Sequence, residues 1–472
     1  MITRLKEKET LYHKIVFAYT SFYAIYSLFG RVTWLHGLVE HTINGFMYSF
    51  LALFGFCLLA LDFFIYKNYK KMRYYPVYLI FIAIAFISSL LNMEYGITNN
   101  AKTIIWLFVQ MGLFTTMGQL FTKEIYDKWL TIFFSVSGAI WCFASIVSLY
   151  QYLFIEGYMI PMNGRMLRQS LYDNRLFGIF IDPNLGAFVG FIVIWGMIYF
   201  IRKYKSALIR TLCTTNIIIQ LAYIILSGSR STLVCMICSF SYTTILLLIK
   251  LYQTKRAVKL PFRIISYFLA PVALALLIFV SFDLFRLGAT ELSSILAPEQ
   301  HHVKQELIRN DIKNNETNNR TDIWKGYLFL MKDKPVFGIS PRNGWNYADA
   351  KHPESYIAEH HYDVHNAYVA VLACMGVTGF LALLLEIYCF GRTILPRAFN
   401  LKKMNLQYFF ALQMIINIAV FIFFYPGIYF TNGIDTLLFW PAIGFALQEA
   451  EPIIPLFYNN HIKFPAKKQH TH

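Results

Sequence analysis

The chain has 472 residues, of which 57% are hydrophobic, 18% aromatic and only 14% charged, with a formal net charge of +16. A soluble domain carries about a quarter charged residues, so this composition excludes an ordinary water-soluble globule. The basic excess does not indicate nucleic acid either, because it falls in short clusters between apolar blocks rather than on one domain.

The apolar blocks are long. Trp129 to Ile155 and Ser231 to Ile249 each run without a formal charge. A helix needs about 20 apolar residues to cross the hydrocarbon core, and lipid offers no partner for bare backbone amides. The alternation expected of a transmembrane β-barrel is absent. The sequence therefore predicts an all-α polytopic membrane protein with about twelve helices, over 15–36, 44–66, 76–93, 102–121, 129–155, 178–201, 211–227, 230–250, 264–285, 365–391, 405–426 and 433–449. Gly30 and Arg31 interrupt the first. Thr214, Thr215, Asn216 and Gln220 dilute the seventh, and such polar helices often line a site. No cleavable signal peptide is expected, since 1–14 is too polar.

Orientation follows from the Lys/Arg bias of short loops. With the N-terminus cytoplasmic, the inside loops and tail hold 26 basic residues and the short outside connections hold 6. Both termini are then cytoplasmic. The chain divides into membrane helices over 1–285, one large extracytoplasmic loop over 286–364, further helices over 365–449 and a basic tail over 450–472. Within the loop, Ile323, Trp324, Tyr327, Leu328 and Met331 recur at helical spacing, predicting a short amphipathic helix over 322–332 capped by Asn319 or Thr321. The seven cysteines all fall in apolar segments, and the C-x-x-C at Cys235 and Cys238 lacks further ligands, so they read as small buried hydrophobes.

Four clusters fall on the outside. In Arg175-Leu-Phe-Gly-Ile-Phe-Ile-Asp182-Pro183-Asn184, the Asp-Pro pair is a helix N-cap with a first-turn proline, whereas Arg175 gains nothing from the orientation rule and contacts either headgroups or a ligand. Ser227-Gly228-Ser229-Arg230-Ser231 is a tight turn placing Arg230 at the membrane edge, where a guanidinium is costly unless paired or hydrated and is suited to phosphate. Asn319-Arg320-Thr321 follows with Trp324, Pro335, Gly338 and Arg342. Asp363-Val-His365-Asn366-Ala-Tyr368 opens the tenth helix, where free backbone amides favour an anion.

Taken in order, Gly-Ser-Arg230-Ser, Asn-Arg320-Thr with Trp324 and Pro335/Gly338, and His365-Asn366-Ala-Tyr368 resemble the O-antigen ligase and O-antigen polymerase superfamily, which includes capsular polysaccharide polymerases. The resemblance runs from Arg175 to the end of the tenth helix. It implies a glycosyltransferase-C-like membrane fold and glycosyl transfer from an oligosaccharide on polyprenyl (undecaprenyl) diphosphate, for capsule, exopolysaccharide or other cell-envelope biosynthesis. By the resemblance, Arg230 and Arg320 hold the diphosphate and His365 sits at the acceptor hydroxyl. Arg175, Asn366, Arg342, Trp324 and Tyr368 are the accompanying substrate-binding candidates, and His360 and His361 are surrogates for His365. Arginines stand where many soluble glycosyltransferases use a metal, for no Asp-x-Asp occurs; neither a metal nor another cofactor is expected. The partners expected are the lipid-linked oligosaccharide and membrane lipids, a chain-length regulator being a further one. The preferred reading is a polymerase, joining one lipid-linked repeat unit to another with inversion. A ligase, passing the glycan to a different acceptor, shares the same motifs. A lipid-linked oligosaccharide flippase is the reading from another class, and the absence of internal repeats and of midplane charge counts against it.

Overall fold

The computed structural model describes residues 2–37, 41–162, 165–254, 260–296 and 319–450. Residues 451–472 of the predicted tail and 297–318 of the predicted loop lie outside the described residues. A helix occupies every one of the twelve apolar stretches, and the protein is an all-α polytopic membrane protein with few strands. We number the helices α1 (Ile2–Phe29), α2 (His41–Leu61), α3 (Tyr75–Leu91), α4 (Thr98–Leu120), α5 (Lys123–Phe154), α6 (Pro183–Lys203), α7 (Ala207–Ser227), α8 (Arg230–Thr254) and α9 (Leu260–Leu296). The remainder are α10 (Arg320–Met331), α11 (Gly344–Lys351), α12 (Tyr356–His360), α13 (Ala367–Ala398), α14 (Leu406–Phe421) and α15 (Ile434–Glu449). Among the described residues, eight helices are long and apolar enough to cross a membrane, and α3 and α14 are shorter apolar helices.

Burial sorts these helices. The most apolar stretch of α6 is 83% buried, whereas that of α9 is 0% buried, which makes α6 the axis of the bundle and leaves α9 at its rim. Helix α6 starts where Asp182 caps it, its carboxylate accepting from the Asn184 amide at 2.9 Å, with Pro183 in the first turn. Trp141 of α5 packs against α6 and donates its indole N–H to the Gly186 carbonyl at 2.8 Å. Two of the polar residues of α7, Asn216 and Gln220, serve packing, while Thr214 and Thr215 are exposed. Asn216 donates to the Gly138 carbonyl at 3.1 Å, and Gln220 accepts from Ser145 at 3.0 Å, so both amides pair with α5.

Several expected boundaries move. Helix α1 runs through the polar N-terminal stretch from Ile2, and α9 continues to Leu296, well into the segment read as a loop. Helix α6 begins at Pro183 rather than 178 because Arg175–Gly178 is a strand. It is the third strand of an unexpected antiparallel sheet, β1 (Tyr158–Met162), β2 (Arg165–Tyr172) and β3 (Arg175–Gly178), in the order β1-β2-β3. After β3 the chain pairs with the segment following α1, just before a short helix over Thr33–Gly37, through a Val32–Phe180 bridge, flanked by Thr33 N–H to the Ile179 carbonyl at 2.9 Å.

The predicted tenth span is the largest revision. Helix α13 starts at Ala367, and Gly376 breaks it with φ 67° and ψ −165°. At that break the segment 335–340 runs alongside: Val377 N–H donates to Pro335 O at 2.8 Å and Ser340 N–H to Cys374 O at 2.9 Å. The short piece before Gly376 therefore belongs to the same end of the bundle as that loop. At the opposite end, Lys203 pairs with Asp127 at 2.6 Å and Arg397 with Glu449 at 2.9 Å, tying α6 to α5 and α13 to α15.

Candidate active site at one end of the bundle

The four sequence clusters converge on the end of the bundle where β3, the starts of α6, α8, α10 and α13, and the 422–433 turn meet. A polar cavity of about 210 Å³ opens there, lined by Asp182, Asn184, Ser231, Asn319, Arg320 and His365. Phe421, Phe424, Tyr425 and Tyr362 supply aromatic wall.

Each residue reaches this place for a local reason. Arg320 is the first residue of α10, following Asn319 in the left-handed region at φ 61°. Asn319 makes no side-chain cap hydrogen bond, so the expected capping role is not used. The Arg320 guanidinium lies 5.6 Å from the Phe424 ring centre, a cation over an aromatic face. His365 precedes α13 and is itself left-handed, at φ 49°, an uncommon state for a non-glycine that persists where the surroundings enforce it. Burial pushes the His365 imidazole below its ordinary 6.5, and Arg320 adds to that, against the opposing pull of Asp363 and Asp182. The ring is therefore held neutral near pH 7, with a free lone pair for a proton.

The other candidates separate. Asn366 is buried as the N-cap of α13, accepting from Tyr368 N–H at 2.9 Å and Val369 N–H at 3.1 Å. Arg175 is buried and structural: it donates to the Ser227 carbonyl at 2.7 Å and to Asn184 at 2.5 Å, clamping the end of α7 to the start of α6. Arg230 opens α8 and is exposed beside the cavity, whose wall takes Ser231 instead. Gly228, at φ 61°, makes that tight turn possible. Trp324 packs against the core with its indole N–H buried and unpartnered among the described residues. Tyr368 donates to the Ala419 carbonyl at 2.9 Å and lines an apolar groove between α13 and α14 rather than the polar cavity. Arg342 lines a neighbouring cavity. Of the surrogates, His361 bonds Asp349 at 2.9 Å and His360 stacks on Tyr356, so neither lines the polar cavity.

Sequence reasoning missed the contributions of Asn184, Phe424 and Tyr425, and took Asp182 for a cap alone. The cap uses one oxygen of Asp182 while the side chain also lines the cavity. Phe424 and Tyr425 sat inside the predicted span over 405–426. The helix instead ends at Phe421, and Pro426-Gly427 was the available sign of that turn.

A cation, a neutral imidazole, a carboxylate and an amide thus share one cavity, a set able to hold an anion and accept a proton. Residues 215–384 match the sequence profile described as O-antigen ligase. This stretch is an O-antigen ligase family domain. It contains Arg230, Arg320 and His365, while α1–α6, β1–β3, α14 and α15 lie outside it. Two parts of the cavity wall, Asp182 with Asn184 and Phe421 with Phe424 and Tyr425, therefore come from flanks of the O-antigen ligase domain. No curated protein matches the chain.

Proposed function

We propose that the protein is a polysaccharide polymerase. It transfers a glycan from polyprenyl diphosphate to the acceptor sugar of another lipid-linked repeat unit, at the outer face of the cell membrane, by inversion and without a metal. The observation that carries this reading is the shared cavity of Arg320 and His365 within the O-antigen ligase domain. The family itself implies ligase- or polymerase-type transfer with lipid-linked oligosaccharide substrates.

The acceptor hydroxyl oxygen attacks the anomeric carbon as the bond from that carbon to the diphosphate oxygen breaks. The hydroxyl proton passes to the His365 imidazole, for which a neutral ring is required. Negative charge grows on the departing diphosphate, and Arg320, with Arg230 at the rim, stabilises it with fixed positive charge. The products are the extended glycan and polyprenyl diphosphate, and the imidazolium releases its proton to water.

The test is reconstitution of the full chain in proteoliposomes with a polyprenyl-diphosphate oligosaccharide, reading product length with and without a chelator. A ladder that survives the chelator supports the proposal. A single transfer to another acceptor makes the protein a ligase, the activity in the family's name. A change of sidedness without a new bond makes it a flippase, and loss of activity restored by added metal overturns the arginine-based account.

A further inference from the structure

A second cavity, of mixed polar and apolar lining, draws on neighbouring stretches of the chain. Its walls include Arg342, Asp363, Trp345, Asn346, Asn99 and Tyr327. The two cavities share a boundary in the chain: Asp363 lines one and His365 the other, and Pro426 lines one and Tyr425 the other. Residues two apart have Cα atoms at most about 7 Å from each other, so the two cavities draw on neighbouring backbone at both places.

Its charged and amide side chains, Asp363, Arg342 and Asn99, stand at exposed positions and are not spent on one another. Arg342 and Asp363 carry opposite charges into the same space, yet no ion pair joins them among the described residues. The Arg342 bond that fixes its place is made by the backbone, N–H to Asn100 at 3.1 Å. The side chains of Asp363 and Asn99 likewise make no hydrogen bond among the described residues. Meanwhile the surrounding frame is tied down. The Trp345 indole N–H and the Tyr327 hydroxyl both donate to the Tyr362 carbonyl, at 3.0 and 3.1 Å. The Asn346 amide donates to the Tyr95 carbonyl at 2.6 Å. The frame thus leaves a carboxylate, a guanidinium and an amide beside the Trp345 ring, one face of which is stacked on His361 at 5.7 Å.

Those groups match a sugar. A carboxylate accepts from, and a guanidinium donates to, adjacent hydroxyls, and charge-assisted bonds of this kind are the strong ones. An indole offers a flat apolar face to the C–H side of a pyranose while its N–H finds a polar partner. The charges of Asp363 and Arg342 disfavour a lipid tail beside them.

We infer that this cavity is a sugar subsite, with Asp363 and Arg342 on the hydroxyls of one ring and Trp345 against its face. The inference rests on the transferase reading above and assigns the ring to the glycan beside the reacting bond, of the donor or of the acceptor.

The full chain in nanodiscs, Trp345→Ala, Trp345→Phe, Asp363→Asn and Arg342→Gln are compared in two assays. One is saturation-transfer NMR with the water-soluble oligosaccharide released by mild acid from the lipid-linked glycan of the cells that make this protein. The other is transfer kinetics with donor and acceptor varied separately. Asp363→Asn and Trp345→Ala are expected to weaken oligosaccharide binding about tenfold or more, with Trp345→Phe retaining most of it. Arg320→Ala should bind the oligosaccharide as wild type does while losing transfer. A raised KM for the acceptor alone assigns the ring to the acceptor, and a raised KM for the donor alone assigns it to the donor. Normal binding and normal kinetics in all of these variants, each eluting as a folded monodisperse species, overturn the subsite while leaving the transferase intact. Trp345-dependent binding in a protein that transfers nothing keeps the subsite and rejects the transferase.

Discussion

The break in α13 sets where His365 stands, and Gly376 makes the break. Its φ of 67° with ψ of −165° belongs to a region open in practice to glycine alone, and holding another residue there costs about 1–3 kcal/mol. A methyl group at Gly376 would also fall against the carbonyl of Val336 and lie 2.6 Å from the Pro335 oxygen. Relieving that contact pushes 335–340 away from 373–378, where four backbone hydrogen bonds of 2.8–3.2 Å join the two segments. Losing two of them adds about 2 kcal/mol, so Gly376→Ala should destabilise by about 3–5 kcal/mol in all. Gly391, on the same helix, is the control. An added methyl there meets only Leu395 at 3.7 Å, and alanine in a helix interior is favoured by about 0.5–1 kcal/mol. Thermal unfolding of the protein in nanodiscs, followed by tryptophan fluorescence, should show a large drop in Tm for Gly376→Ala and none for Gly391→Ala. Transfer activity should fall with the first only, because His365 moves with the α13 start. If Gly376→Ala matches wild type in both Tm and activity, the proposed link between this kink and the site is wrong.

Three further outcomes are expected. Arg320→Ala should reduce kcat by about 10²–10³-fold, the usual effect of removing one donor aimed at developing negative charge, with Tm unchanged; an intact polymer ladder would remove Arg320 from the reaction. His365 has its proton affinity lowered by burial and by Arg320, so kcat/KM should rise with pH along an acid limb centred below 6.5. Arg320→Gln should move that limb to higher pH, since a cation opposing protonation is gone, and an unmoved limb, or one that persists in His365→Ala, would assign it to another group. The same lowering favours the neutral ring in the folded state, so its contribution to stability is present above pH 6.5 and lost as pH falls below it. Asn366→Ala should cost about 1 kcal/mol of stability through loss of the α13 cap, whereas a large loss of transfer at unchanged Tm would restore the ligand-binding role first assigned to Asn366.

The sequence alone determined the helices, because a run of apolar residues long enough for the hydrocarbon core has only one way to satisfy its backbone there. It also determined the cap at Asp182, whose side chain reaches an amide two residues on, a purely local matter. The grouping of Arg320 with His365 was legible as two motifs on one face, though not as one cavity. Tertiary structure decided the rest, since it depends on residues far apart in the chain. Arg175 is engaged by the Ser227 carbonyl and Asn184, a fact no local pattern contains. Ser231 rather than Arg230 lines the cavity because the turn at Gly228 and the packing of α8 choose which side chain of two neighbours faces inward. The kink at Gly376 needs the 335–340 backbone beside it, and the aromatic wall of Phe424 and Tyr425 needs α14 to end early. Hydrophobic length is additive along a sequence; the facing of side chains across a cavity is not.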